Sequence, residues 1–141
     1  MTSYNNFYMN AHKLQERLIE FSVLLIKVTR KLTTCFASRH LAHQLIRSGT
    51  SPALQYGEAC GAESRNDFIH KLSVVLKELR ECHVNLRIIE KAELSNNQID
   101  IEQVIEECNQ LIAILVSSLN TLKGTTGKMN SGTKAENAKK S

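Results

Sequence analysis

Three long stretches of this chain carry apolar residues at alternating steps of four and three. They span about residues 11–36, 64–94 and 100–123. This spacing keeps one stripe on one face of a helix, so each stretch must bury that face against a neighbour. The three stripes are Leu14, Leu18, Phe21, Leu25, Val28 and Leu32; Phe68, Leu72, Val75, Leu79, Cys82, Leu86 and Ile89; and Ile101, Ile105, Cys108, Ile112, Leu115, Leu119 and Leu122.

A fourth stretch, about residues 38–60, is less regular and includes small residues such as Gly49, which let a neighbouring helix approach closely. Pro52 lacks an amide proton, and in an unbroken helix its ring would clash with the carbonyl of Ser48. The helix therefore either kinks at Pro52 and continues, or a new turn begins there with Ser51 as its cap. We favour a kinked but continuous helix.

The four helical stretches are joined by short connections near residues 61–62 and 95–97. Short connections make consecutive helices antiparallel neighbours, which predicts an all-α, up-down-up-down four-helix bundle. The composition predicts an N-terminal extension over residues 1–10, the bundle over residues 11–123, and a basic tail over residues 124–141. The tail holds almost no apolar residues to offset its ordering entropy, so we expect it to be disordered.

Catalytic and metal-binding motifs are absent from the sequence. The four cysteines are isolated, without the paired spacing of a zinc site, and the Glu-x-x-His pattern of di-iron bundles does not occur. His40 and His43, and Asp67 and His70, lie three residues apart, but neither pair completes a ligand set. No Gly-rich phosphate loop or Ser-His-Asp set is present. We expect no enzymatic activity, cofactor, metal or small-molecule substrate.

Two features that would direct a protein to a membrane or out of the cell are not seen in the sequence. The first residues do not combine a charged leader with an apolar run, and no apolar stretch reaches the roughly 20 residues of a membrane span. We therefore expect a reduced cytoplasmic protein without a membrane partner, in which the cysteines act as small core residues.

Some apolar residues lie outside the predicted core stripes of the first and fourth helices. In a single chain they would form exposed apolar patches, which usually mark interfaces. Scattered surface aliphatics that need no partner are the alternative. We predict self-association through these positions, which are Ile19, Val23, Ile26, Val104, Leu111 and Ile114.

Positive charge is concentrated in the first half of the chain. Residues 1–60 hold seven Lys or Arg against three acids, whereas residues 61–123 hold seven against ten. Repeated around a symmetric ring, this face would form a basic rim that attracts phosphates, although a solvated helix face is the alternative. The candidate nucleic-acid-binding residues are Lys13, Arg17, Lys27, Arg30, Lys31, Arg39 and Arg47.

Four segments carry a resemblance to a known family: Gln-Leu-Ile-Arg-Ser-Gly-Thr-Ser at 44–51, Glu-Ala at 58–59, Ser-Arg-Asn-Asp-Phe-Ile-His-Lys-Leu at 64–72, and Lys-Glu-Leu-Arg-Glu at 77–81. With the flanking helices, roughly residues 14–123 resemble the bacterial four-helix bundle family that includes proteins encoded in 23S rRNA intervening sequences. The accessory variability proteins of diversity-generating retroelements are more distant relatives. The resemblance implies a homopentamer with a non-catalytic role, contacting nucleic acid or a nucleic-acid enzyme.

These observations predict a non-enzymatic homo-oligomer, with five copies as the implied number, that binds RNA or DNA by phosphate contacts on its basic face. The alternative is a protein-interaction scaffold, or an accessory subunit that docks on a nucleic-acid enzyme such as a reverse transcriptase.

Overall fold

Four helices make up the structure, a computed structural model that describes the backbone of residues 3–138 and the side chains of residues 10–124. Consecutive helices pack against each other, and the first also contacts the last. The predicted all-α, up-down-up-down four-helix bundle is confirmed. Its helices are α1 (Ser3–Arg30), α2 (Phe36–Cys60), α3 (Arg65–Lys91) and α4 (Gln98–Ala138).

The core is built from the apolar stripes that the periodicity predicts. Burying one such leucine or isoleucine side chain contributes about 1.5–3 kcal/mol, so the stripes supply most of the force that holds the helices together. The stripe residues buried in the core are Leu18, Phe21, Leu25, Val28, Leu72, Val75, Leu79, Cys82, Leu86, Ile89, Ile101, Cys108, Leu115 and Leu119, and Leu45 of the less regular second stretch is buried with them.

The boundary between α1 and α2 differs from the prediction. The first helix ends at Arg30, and Phe36 begins the second helix instead of ending the first. Beyond this end, Thr33 donates its backbone hydrogen to the carbonyl of Leu94, at 2.7 Å, in the α3–α4 connection. Leu32 still packs against the core from this loop, which is why it extends the apolar period.

The second helix runs without a break through Pro52, so the continuous alternative is correct. Pro52 is buried and offers no hydrogen to the Ser48 carbonyl. The Ser48 hydroxyl donates to the Gln44 carbonyl at 2.9 Å and accepts from the Cys82 thiol at 3.4 Å, which ties this turn to α3.

The two ends of the chain lie mostly beyond the described side chains. The backbone of α1 starts at Ser3 and that of α4 ends at Ala138, so both helices pass the predicted bundle bounds of 11 and 123. Side chains of the predicted extension (1–10) and of the predicted disordered tail (124–141) are described only at Asn10 and Gly124, so no side-chain contact tests these two predictions. Within the described helices, none combines the length and hydrophobicity needed to cross a membrane.

Candidate nucleic-acid interface

Side chains of α1 bond to the backbone of α2 and fix the first hairpin. Ser22 donates to the carbonyl of Gly49 at 2.8 Å, and the Gln15 amide donates to the carbonyl of Ala53 at 3.0 Å. Gly49 also faces Leu25, which is buried and occupies the space that a β-carbon at position 49 would need. In this antiparallel register, the last turn of α1 lies at the same end of the bundle as the first turn of α2.

Two of the seven candidate phosphate-binding residues are engaged between α1 and α4. Arg17 donates to both carboxylate oxygens of Glu107, at 2.7 and 3.0 Å, and to the side-chain oxygen of Gln110 at 2.7 Å. These bonds to Glu107 raise the pKa of Arg17. Lys31 forms an ion pair with Asp100. Arg17 therefore joins α1 to α4, and Lys31 joins the residue that follows α1 to the first turn of α4. The Lys31 side chain is still 52% exposed, so Asp100 offsets its charge but leaves it open to water.

A third candidate, Arg47, lies between α2 and α3. Its guanidinium donates to Glu81 at 3.1 Å, and its side chain is 67% exposed. A pair this open to water stabilises the fold by no more than about 1 kcal/mol. Arg47 is therefore accessible to a ligand, but Glu81 offsets its charge.

The other four candidates are exposed and have no acidic partner in the part of the chain that the structure describes. Lys27 and Arg30 lie in the last turn of α1, and Arg39 lies in the first turn of α2. All three therefore lie at the same end of the bundle, where Lys27 also lines a small cleft with Lys31 and with Asp100 of α4. Lys13 lies near the other end of α1, so the structure separates it from the group.

No acidic residue occurs between Glu20 and Glu58, a segment that includes the whole α1–α2 connection. The cations at this end therefore face no carboxylate from their own hairpin. Arginine binds phosphate oxygens in a bidentate geometry and stays charged at any physiological pH. This end of the hairpin, defined by Lys27, Arg30 and Arg39 and here called the basic end, can bind phosphate groups.

An aromatic pair in the first turns of α2 was missed in the sequence. The Phe36 side chain is 77% exposed, and its ring stacks on His40 with centroids 6.4 Å apart and planes inclined by 10°. Gln44 in turn bonds to the His40 ring at 3.1 Å. The spacing of apolar residues predicted that Phe36 ends the first helix. Its exposure on the outer face of α2 was therefore not expected.

Three predicted interface residues lie on α4. The prediction that Val104 and Leu111 are exposed is wrong, because they are 4% and 0% exposed and belong to the core of the single chain. Ile114 is half-buried and packs against the same core. The buried stripe of α4 is therefore wider than the narrow seam of a coiled coil, as is usual for a helix in a globular bundle.

The three predicted interface residues on α1 remain accessible. Ile19 and Val23 are 40% and 44% exposed, and Ile26 is half-buried. Ile46 of α2 is also exposed and precedes Gly49 by three residues, so it shares the side of α2 that faces α1. Ile19, Val23, Ile26 and Ile46 form an exposed apolar face on the hairpin, here called the hairpin face.

A cleft of about 510 Å³ lies between α1 and α4 at the end opposite the basic end. Its polar lining includes Lys13 and Tyr56, and burial raises the pKa of the Tyr56 hydroxyl. No His, Cys, Asp or Glu is among its described lining residues, and no group of three such side chains within the described range could hold a metal ion. The apolar side chains lining the cleft are Leu14, Phe68, Leu72, Ile114, Leu115 and Leu122.

Comparisons with known proteins agree with the fold and the sequence motifs. Residues 10–117 match the family model described as 23S rRNA-intervening sequence protein. A crystal structure from Bacteroides thetaiotaomicron, described as a protein of unknown function from the S23 ribosomal protein family, is 27% identical with a TM-score of 0.66. The alignment covers 75% of this chain and 97% of that chain. No protein with a curated description matches this chain.

Proposed function

This chain belongs to the 23S rRNA-intervening sequence protein family, and from that premise we propose that it is a non-enzymatic, self-associating bundle that binds RNA or DNA. The observation that carries the proposal is the basic end, where Lys27, Arg30 and Arg39 are exposed without an acidic partner among the described residues. Phosphate contacts release counterions and supply affinity without reading sequence. The family's description makes RNA the first nucleic acid to test.

Of the seven candidates, those at the basic end are the strongest. Arg17 and Lys31 are paired with Glu107 and Asp100 of α4, and Arg47 is paired with Glu81. A single basic end offers only a few phosphate contacts, which gives weak binding. Self-association multiplies these contacts, since each copy adds its own basic end to the same surface.

A charge reversal tests the binding proposal. We expect R30E/R39E to reduce the affinity for a fluorescein-labelled single-stranded RNA more than tenfold at low salt, measured by fluorescence anisotropy. The matched control is R80E/R87E, which makes the same change of net charge on exposed positions of α3. Equal losses in the two variants would contradict a local site, and no binding by the wild type at low salt would refute the proposal.

The hairpin face supports the proposal of self-association. Exposed apolar residues arranged on one face usually mark an interface, and the family resemblance implies five copies. We expect light scattering to give the mass of several chains for the wild type and of one chain for I19D/V23D. The control is V84D/I88D, which places the same two charges, also four residues apart, at exposed positions of α3. A monomeric wild type would contradict this part of the proposal.

The same apolar face also supports a second candidate function, an accessory protein that docks on a nucleic-acid enzyme. In that case the hairpin face binds the partner, and affinity for RNA and DNA stays low in every variant. I19D/V23D would then abolish partner binding without changing the mass of the free protein. The two functions are therefore separated by the mass and the RNA affinity of the wild type.

A further inference from the structure

Phe36 is the most exposed large apolar side chain in the described part of the molecule, at 77%. An exposed ring of this size contributes nothing to the core and leaves apolar surface in water. His40 stacks on one side of the ring at a centroid distance of 6.4 Å, and the bond from Gln44 holds His40 in turn. His40 therefore lies beside the ring and leaves most of it exposed.

Two arginines lie close to Phe36 along the hairpin. Arg39 lies three residues further along the same helix, and Arg30 ends the preceding helix. The hairpin contributes no carboxylate here, because the nearest acids in sequence on either side are Glu20 and Glu58. A flat aromatic surface beside several cations is the arrangement with which proteins bind single-stranded nucleic acid, since bases stack on the ring while phosphates contact the cations.

We propose that Phe36 is the stacking platform for an unpaired base of single-stranded RNA or DNA, whose phosphates bind Arg30 and Arg39. This inference deepens the function proposed above and rests on it. It names single strands as the preferred ligand, because a base inside a duplex cannot expose its face to the ring. An acidic protein segment would also suit the cations, but it has no general need for an exposed flat ring.

The test compares Phe36→Ala with the wild type on four probes. These are a labelled single-stranded RNA, a single-stranded DNA of the same length, an RNA duplex, and inorganic polyphosphate, which carries charge without bases. We expect F36A to weaken binding of both single strands by about tenfold and to leave duplex and polyphosphate binding unchanged. A loss confined to RNA or to DNA identifies which of the two the platform accepts.

Two further variants make the test specific. Leu54→Ala removes another highly exposed apolar side chain, 69% accessible, from the other half of α2 and should leave all four affinities unchanged. Phe36→Trp keeps an aromatic face and introduces the sole tryptophan, since the chain has none. Its fluorescence should be quenched when single strands bind and unaffected by polyphosphate. Because position 36 is exposed, neither change there should alter the helical circular dichroism.

The outcomes separate the two proposals. If the wild type binds single strands in a salt-sensitive manner and F36A binds them equally well, base stacking is refuted while phosphate binding stands. If F36A lowers the native mass instead, the ring serves contacts between copies and stacking is again refuted. If the wild type binds none of the four probes, both proposals fail.

Discussion

Gly49 in α2 lies directly against the buried side chain of Leu25 in α1, with no space for a β-carbon between them. The Gly49 carbonyl also accepts the hydroxyl hydrogen of Ser22. The small-residue segment in the middle of α2 is thus a packing contact between the first two helices. The placement of the basic end and of Phe36 depends on the hairpin that this contact fixes.

Gly49→Ala is expected to destabilise the protein by about 1–3 kcal/mol, because the added carbon overlaps Leu25 in a filled core. This cost outweighs the gain in helix propensity, which is at most about 1 kcal/mol. Urea denaturation measures the difference. Gly61→Ala is the control, since the nearest atom to a β-carbon there is 3.7 Å away. Equal stability of G49A and the wild type would contradict the packing account.

Arg17→Ala is expected to lower stability and to leave RNA affinity nearly unchanged. The Arg17 side chain bonds to Glu107 and Gln110 and is only 35% exposed, so its removal costs about 1 kcal/mol of stability. The checks are a denaturation midpoint and an anisotropy titration on the same sample. A large loss of RNA affinity in R17A, with stability unchanged, would show that Arg17 binds RNA and would contradict its structural role.

Glu78 should make the fold more stable in acid. Burial raises the pKa of its carboxyl above the usual 4.5, and Glu81 raises it further, while Arg47 and Lys77 act in the opposite direction. The folded state holds this proton more tightly than the unfolded chain, so the contribution to stability is complete below pH 4.5. It is lost as the pH rises through the folded pKa.

Glu78→Gln removes this dependence, because the amide does not titrate. The variant should match the wild type near pH 4 and exceed it near pH 7, as urea midpoints at the two pH values would show. Glu102→Gln, at an exposed glutamate of α4, is the control. A stability difference that is the same at both pH values would contradict the role given to burial.

Thiol labelling should separate two reactive cysteines from two buried, unreactive ones. Cys60 is exposed and Cys35 is half-buried, and hydrogen bonds from Ser38 lower the pKa of Cys35. Burial raises the pKa of Cys82 to about 12 and also raises that of Cys108. Iodoacetamide should therefore modify two cysteines in the native protein and all four in urea, as counted by mass spectrometry. Rapid native labelling of Cys82 or Cys108 would contradict the described core.

The helix type and most of the core could be predicted because they follow from local periodicity. Leu18, Leu79 and Leu115 each repeat at helical spacing, and burial of one face is the only stable arrangement for such a stripe. The number of residues buried on either side of a stripe depends on how the neighbouring helices pack against it. Val104 and Leu111 lie beside the seam of α4, and only the positions of its neighbours α1 and α3 determine that both are covered.

The end of α1 and the accessible cations of the basic end could not be predicted from local periodicity. Cys35 caps α2 by accepting the backbone hydrogen of Ser38, although Ser, Thr, Asp and Asn are the residues that usually signal such a start. The pairing of Arg17 with Glu107 joins residues 90 positions apart. No spacing rule predicts such a pair, so the sequence could not separate the cations that join helices from those that remain accessible.

The salt dependence of RNA binding tests the central proposal most directly. For single strands, the logarithm of the binding constant should fall linearly with the logarithm of salt concentration, with a slope of about −0.7 per phosphate contacted. R30A/R39A should make this slope shallower by about 1.4, since two contacts are lost. A binding constant that does not change with salt, or an unchanged slope in the double variant, would contradict phosphate binding at the basic end.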